Sequence, residues 1–258
     1  MQIDKNQSLK IFDRDTYPAA ADAEDHPPQI IGYPSVQRPG CAALEVDRFA
    51  WPPLCRAIDD TAKSVAAPIV ESILRASQAG KRIVLISGAT RQSGRTTTAI
   101  WLAAACARIN LRVALIDADI ENPSIAHSLG VQPFAGWERF CNQDQPIDDY
   151  LIDSLADRYT ILPCVVRSPL ASWPDHWDLG AVFEGLRDHY DAILVDTLPL
   201  AREGIGSQML DDCAPFVDAA LWLDTGPIDT RWALQQFQAG GIHSLGLVQR
   251  APYAAAAA

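Results

Sequence analysis

The stretch that decides the fold runs from Arg82 to Asp117: RIVLIS (82–87), GATRQSGR (88–95), TTTAIWLAAACARINL (96–111) and RVALID (112–117). RIVLIS and RVALID are continuous apolar runs, the mark of strands buried on both faces. TTTAIWLAAACARI (96–109) is long and rich in helix formers, so it reads as a helix. A strand, a Gly-containing turn, a helix and a second buried strand make one parallel crossover unit.

The same alternation continues outward. YTILP (159–163) is a short third strand. LGAVFEGLRDHY (179–190) is helical and leads into DAILVDT (191–197), a fourth strand. FVDAALWLD (216–224) is a fifth. IDTRWALQQFQAGG (228–241) is a helix closed by a Gly pair, and HSLGLVQ (243–249) is a last strand. The pattern predicts an α/β protein with three α/β/α layers and a mostly parallel sheet of about six to eight strands. Upstream, Ile58, Ala62, Val65, Ile69 and Ile73 recur at helical spacing. Residues 49–80 are therefore a helical segment packing on the core, with a kink or break at Pro68. Residues 1–48, with DHPP (25–28) and YPSVQRPG (33–40), carry no apolar period and are expected to be a disordered or extended arm. The main domain is then 81–250, and 251–258 is a frayed tail.

The 258 residues are enough for a large core, and a hydrophobic content of 48% with 21% charged is ordinary for a globular protein. A net charge of −11 argues against coating nucleic acid or docking directly on anionic lipid. MQIDKNQSLK has no apolar leader run, and no stretch is long enough to span a bilayer. The cysteines (41, 55, 106, 141, 164 and 213) lie far apart without a CxxC, and are read as reduced and mostly buried. Lysine is confined to Lys5, Lys10, Lys63 and Lys81; Arg supplies the rest of the 21 basic residues.

Ligands of open α/β sheets bind at the carboxyl ends of the strands. There the turn reads Gly88-Ala89-Thr90-Arg91-Gln92-Ser93-Gly94-Arg95-Thr96-Thr97. A phosphate-binding loop needs small residues for close backbone approach, a Lys for the β/γ-phosphates and a Ser/Thr hydroxyl for Mg2+. Gly94 and Thr96 fit; Arg95 stands where the Lys belongs. Asp117 and Asp119 end one buried strand and Asp196 ends another, which suits a Mg2+–phosphate site. The plainer reading of each is a helix cap; the ordered set of three segments favours the site.

ISGATRQSGRTTTAIWLAAACARINLRVALIDADIENPSIAHSLGV, followed by YDAILVDTLPL, resembles the deviant-Walker P-loop ATPases, and among them the bacterial tyrosine kinases (BY-kinases) of capsule and exopolysaccharide export. The wider relatives are the ParA/MinD ATPases, and the resemblance covers about residues 80–250. It implies ATP and Mg2+ as cofactors and a Walker A loop at 89–97 in which Ser93, Gly94, Arg95, Thr96 and Thr97 contact nucleotide. It also implies a Walker A′ segment at 113–119 and a Walker B segment at 193–196. Thr96, Asp117 and Asp196 would serve Mg2+, Asp117 and Arg95 catalysis, and Asp119 would partner Asp117. The resemblance further implies a membrane-bound polysaccharide-export or chain-length protein as partner, and a homo-oligomer. The place it implies is cytoplasmic, peripheral at the inner membrane through that partner. Nucleic acid and direct membrane insertion are not expected.

The chain departs from that pattern at several positions. Arg95 replaces the Walker lysine, Gln92 a loop glycine, Thr90 the ParA/MinD signature lysine, and Glu121 an expected Arg. Leu198 breaks the double proline after the Walker B Asp-Thr, and Tyr253 is the lone tyrosine of the C-terminal tail. Arg is a planar fork and no substitute for a compact ammonium. Gln92 adds a Cβ and forfeits the freedom of a glycine at positive φ. Binding is expected to tolerate these changes better than phosphoryl transfer, which depends on positioned charge at the γ-phosphate. Other readings are a ParA/MinD-type positioning ATPase and a non-catalytic scaffold that keeps the fold. The His residues are scattered, and no GxSxG, HExxH, HRD or DFG motif occurs. Trp137, Trp173, Trp177, Phe134 and Phe140 in the 131–178 insert are read as core, with an exposed partner surface as the alternative.

Overall fold

The computed structural model describes residues 8–11, 42, 44–61, 63–142, 145–165, 172–224 and 227–250. Nine strands form one sheet in the order β1-β9-β8-β3-β7-β4-β6-β5-β2. In chain order these are β1 (Ser8–Ile11), β2 (Leu44–Val46), β3 (Ile83–Gly88), β4 (Val113–Ala118), β5 (Ile152–Ser154), β6 (Tyr159–Leu162), β7 (Ala192–Thr197), β8 (Ala219–Asp224) and β9 (His243–Arg250). Every pairing is parallel except β5 with β6. The α/β class with a mostly parallel sheet is thus as the apolar runs predict. β3, β4 and β7 are buried at every position, as strands covered by helices on both faces must be.

The helices are α1 (Pro53–Thr61), α2 (Lys63–Gln78), α3 (Arg95–Arg108), α4 (Ile125–Ser128), α5 (Trp137–Phe140), α6 (Leu179–Arg187), α7 (Ile205–Cys213) and α8 (Pro227–Ala239). One apolar cluster joins α1, α2 and α3 to one side of the sheet through Ile58, Ile73, Ile100 and Leu102. A second joins the opposite side to α6, α7 and α8 through Phe183, Met209 and Phe237.

Three expectations change. Two pieces of the segment expected to be a disordered or extended arm, β1 and β2, pair as edge strands of the sheet; the rest of 1–41 lies outside the described residues, as does the tail 251–258. Among the described residues the sheet has nine strands rather than about six to eight, because three- and four-residue edge strands escape a periodicity reading. Pro68 sits inside α2 and does not break it; α1 ends at Thr61 and α2 begins at Lys63. Trp137, Trp173 and Trp177 are buried and packed ring against ring, which favours the core reading of the insert; among its described residues Phe134, Leu155 and Val165 are exposed.

Candidate phosphate and cation site

The loop 89–94 hangs between the end of β3 and the start of α3. Gly88 is required there: a Cβ would stand 2.9 Å from the Leu223 carbonyl oxygen and 3.1 Å from Ser93 Oγ. Gly94 precedes α3 at φ 91° and caps it with no side chain, so the first-turn N–H groups carry no side-chain cap. That is the ordinary make-up of an anion-binding helix start. Gln92, which the sequence reading expects to resist positive φ, holds φ 60° all the same. The loop keeps its left-handed residue at a cost of roughly 1–2 kcal/mol for a side chain with a Cβ.

Arg95 points inward and is only 6% exposed. Its Nε donates to the Thr197 carbonyl at 3.0 Å, and Nη1 donates to the Thr90 carbonyl at 2.6 Å. Nη2 lies 3.5 Å from Asp119 Oδ2. Longer contacts from Nη1 reach the Gly88 carbonyl and Ser93 Oγ. The guanidinium is therefore already satisfied by the loop, by the end of β7 and by Asp119. Burial lowers its affinity for the proton, and the nearby Asp196 and Asp119 carboxylates oppose that.

Asp117 and Asp196 are register partners across β4 and β7, which places their carboxyl groups at the same end of the sheet. Their surroundings differ. Asp117 Oδ2 accepts from Ser124 N at 2.8 Å and Ile125 N at 2.9 Å, capping the short α4, and Oδ1 accepts from Asp119 N at 3.3 Å. The capping reading of a strand-end Asp describes this residue. Asp119 accepts from Asn122 N and faces both Arg95 and Arg91. Asp196 is 1% exposed, and among the described residues neither oxygen has a hydrogen-bond partner. The Thr96 hydroxyl is close enough to favour its ionised form. Burial nevertheless pushes the Asp196 carboxyl up to about 7, against Thr96 and Arg95 and with the help of Asp119. Asp117 is also pushed well above the usual carboxylate range, by burial first and then by the charge on Asp196.

The structure thus brings together Ser93, Gly94, Arg95, Thr96, Thr97, Asp117, Asp119 and Asp196 at one end of the sheet. Only Asp196 with Thr96 has the character of a hard-cation site: buried oxygens, unpartnered, beside a hydroxyl. This donor set fits Mg2+. Arg95 does not stand free to receive a γ-phosphate. Arg91 and Glu121, an ion pair at the loop's outer edge, were missed as functional residues by sequence reasoning; Glu121 entered only as a departure. Their opposite charges across two loops were the available signal. Among the described residues, no group of three or more His, Cys, Asp or Glu is placed to hold a metal. No described helix is long and apolar enough to cross a membrane.

No protein-family model matches the chain. The iron-sulfur cluster carrier protein of Helicobacter pylori is 33% identical over 98 residues, covering 38% of this chain and 23% of that protein. The protein of the same name from Synechocystis is 27% identical over 184 residues, covering 67% of this chain and 50% of that protein. The chain spans half or less of the length of these curated relatives. Among solved structures, the kinase domain of VpsO superimposes with a TM-score of 0.59 at 22% identity, over 75% of this chain and 98% of that domain. The kinase domain of the Escherichia coli tyrosine kinase ETK gives 0.55 at 21% identity, over 70% of this chain and 72% of that one. MinD complexed with Mg-ADP from Pyrococcus horikoshii gives 0.53 at 22% identity, over 66% and 70%. The chain has the deviant P-loop ATPase fold of BY-kinase domains and MinD-like ATPases.

Proposed function

We propose that this chain is a BY-kinase-like protein that binds an adenine nucleotide with Mg2+ and has weak or lost phosphoryl transfer. The observation that carries the binding half is Asp196. A carboxylate buried without a partner is costly unless a cation or its water meets it, and it stands beside a hydroxyl at the first turn of a helix with an open N-terminus. In this reading Thr96 and Asp196 would hold the metal. The N–H groups of Gly94 to Thr97 and the Ser93 hydroxyl hold phosphate oxygens, and Asp119 positions Arg95. Asp117 is the carboxylate that orients an attacking hydroxyl or water, once its cap on α4 loosens. The metal would supply charge neutralisation between the phosphates.

The catalytic half is weakened by Arg95, whose donors are spent on protein carbonyls and on Asp119. The same observation favours a second reading, a scaffold that keeps the fold and uses no chemistry. The setting is carried by the resemblance alone: polysaccharide production, a membrane-bound export partner and self-association. Carriage of an iron–sulfur cluster, named for the curated relatives, is not part of the proposal. Cys55, Cys106 and Cys213 are buried, and burial pushes each thiol up to about 12.

Calorimetry with Mg-ADP and Mg-ATP tests the binding half. Wild type is expected to bind, and Thr96→Ala or Asp196→Asn to weaken Mg-dependent binding by about tenfold or more. No heat and no competition at millimolar nucleotide would overturn it. Phosphotyrosine detection after incubation with Mg-ATP separates a residual kinase from the scaffold.

A further inference from the structure

Four charged side chains, three from two loops and one from the first residue of α3, form one chain across the mouth of the site. Arg91, at the tip of the phosphate loop, pairs with Glu121, and its Nη1 lies 3.6 Å from Asp119 Oδ2. The same oxygen lies 3.5 Å from Nη2 of Arg95. We infer that Arg91, Glu121, Asp119 and Arg95 form an internal lock that holds the phosphate loop closed on its own guanidinium, and that opening this lock limits nucleotide affinity.

The geometry supports this at both ends. At the inner end, Arg95 ties the carbonyl of Thr90 to the carbonyl of Thr197, so the loop is stitched to the last residue of β7 without a ligand. At the outer end, Arg91 is about half exposed and reaches from the loop to the segment after β4. Two departures from the resembling family fall in this one network. A Lys at 95 has no fork with which to bridge Thr90, Thr197 and Asp119. An Arg at 121 would set a guanidinium against Arg91. Replaced together, the two positions complement each other as a closed set of charges. A ligand that needs the loop open binds with its intrinsic affinity multiplied by the open fraction.

The first half of this inference is independent of nucleotide; the second rests on the binding reading above. Hydrogen exchange of the amides of 88–95 in metal-free, nucleotide-free protein tests the first. Arg91→Gln and Glu121→Gln are each expected to speed exchange about threefold or more, as befits a partly exposed pair. Arg91→Lys, which keeps a cation facing Glu121 and Asp119, should stay within about twofold of wild type. Unchanged exchange in the Gln variants, or exchange as fast in Arg91→Lys as in Arg91→Gln, would overturn the lock. Calorimetry with Mg-ADP tests the second half. Arg91→Gln removes a cation beside the phosphates, so simple electrostatics weakens binding, whereas release of the lock tightens it by about the factor seen in exchange. Weaker binding overturns the limit on affinity. If exchange responds but no variant binds nucleotide, the lock stands and the nucleotide reading falls.

Discussion

Asp196 and Arg95 oppose each other at the residue scale: one is a buried acid without a partner, the other a buried base with too many. The Asp196 pKa is raised in the fold from the ordinary carboxylate range to about 7. A raised acid favours the folded state in its protonated form, so its contribution is full below about pH 4 and is lost as pH rises toward 7. Metal-free protein should lose stability across that window, with a slope from this group of at most about 1.4 kcal/mol per pH unit. Asp196→Asn should flatten the slope. Urea midpoints from pH 4.5 to 7.5 in chelator check it, and equal slopes in both proteins would remove the buried acid from the account. For Arg95, exchange to Lys forfeits the bonds to Thr197 and Asp119, costing about 1–3 kcal/mol of stability. The same exchange frees a compact ammonium for the phosphates. Loss of the fork also releases the loop, so binding should tighten, while turnover should rise by more, since a misplaced donor costs on the order of 10²-fold in rate. Gln92→Gly with Arg95→Lys should restore more ATP turnover than either alone. A double variant that binds ATP and stays inert would point to Glu121 and Leu198 instead.

Elements set which of these residues can act. The cap that Asp117 places on α4 is held from behind by Trp137 of α5, whose Nε1 donates to the Asp117 carbonyl at 2.8 Å. Trp137→Phe keeps most of the ring packing against Trp173 and Trp177 but leaves that buried carbonyl without its donor. The expected cost is about 1–3 kcal/mol, read as a lowered urea midpoint; an unchanged midpoint would mean the bond contributes nothing. The central strands were legible in sequence because burial on both faces forces unbroken apolar runs, as in IVLISG, VALIDA and AILVDT. Strand length then fixes where Asp117 and Asp196 fall, so their meeting at one end of the sheet was legible too. LEV of β2 and IDS of β5 were not, being too short to show a period. α7 was missed although Ile205, Met209 and Leu210 share a face; it begins after Gly204 with no side-chain cap to mark its start. Nor was the inward turn of Arg95 legible, or the pairing of Arg91 with Glu121. Each depends on the rotamers of long side chains spanning separate loops, which no local pattern encodes.

At the scale of the whole molecule, the two apolar clusters share the central strands residue by residue. Along β3, Val84 and Ile86 belong to the face under α3, Ile83 and Leu85 to the face under α6, α7 and α8. β4 and β7 divide the same way, with Leu115 and Leu194 on one side and Ile116 and Val195 on the other. Neither cluster can dissolve without exposing the strands that floor the other, so the domain should unfold as one unit. Leu102→Ala on one face and Phe183→Ala on the other should cost about 2–5 and 3–5 kcal/mol respectively. Both should move the same single transition. Trp101 reports one face and Trp222 the other, so tryptophan fluorescence and far-UV circular dichroism should give coincident urea curves in each variant. Separate midpoints for the two probes would show that the layers melt independently. The phosphate loop lies outside this cooperative frame, hung from the ends of its most buried strands. Substitutions at Arg91 or Glu121, both partly exposed, should therefore shift the global midpoint by no more than about 1 kcal/mol in free energy while changing exchange in the loop. A global loss as large as that of Leu102→Ala would tie the loop to the core. It would also mean that nucleotide affinity and fold stability could not be tuned apart in this chain.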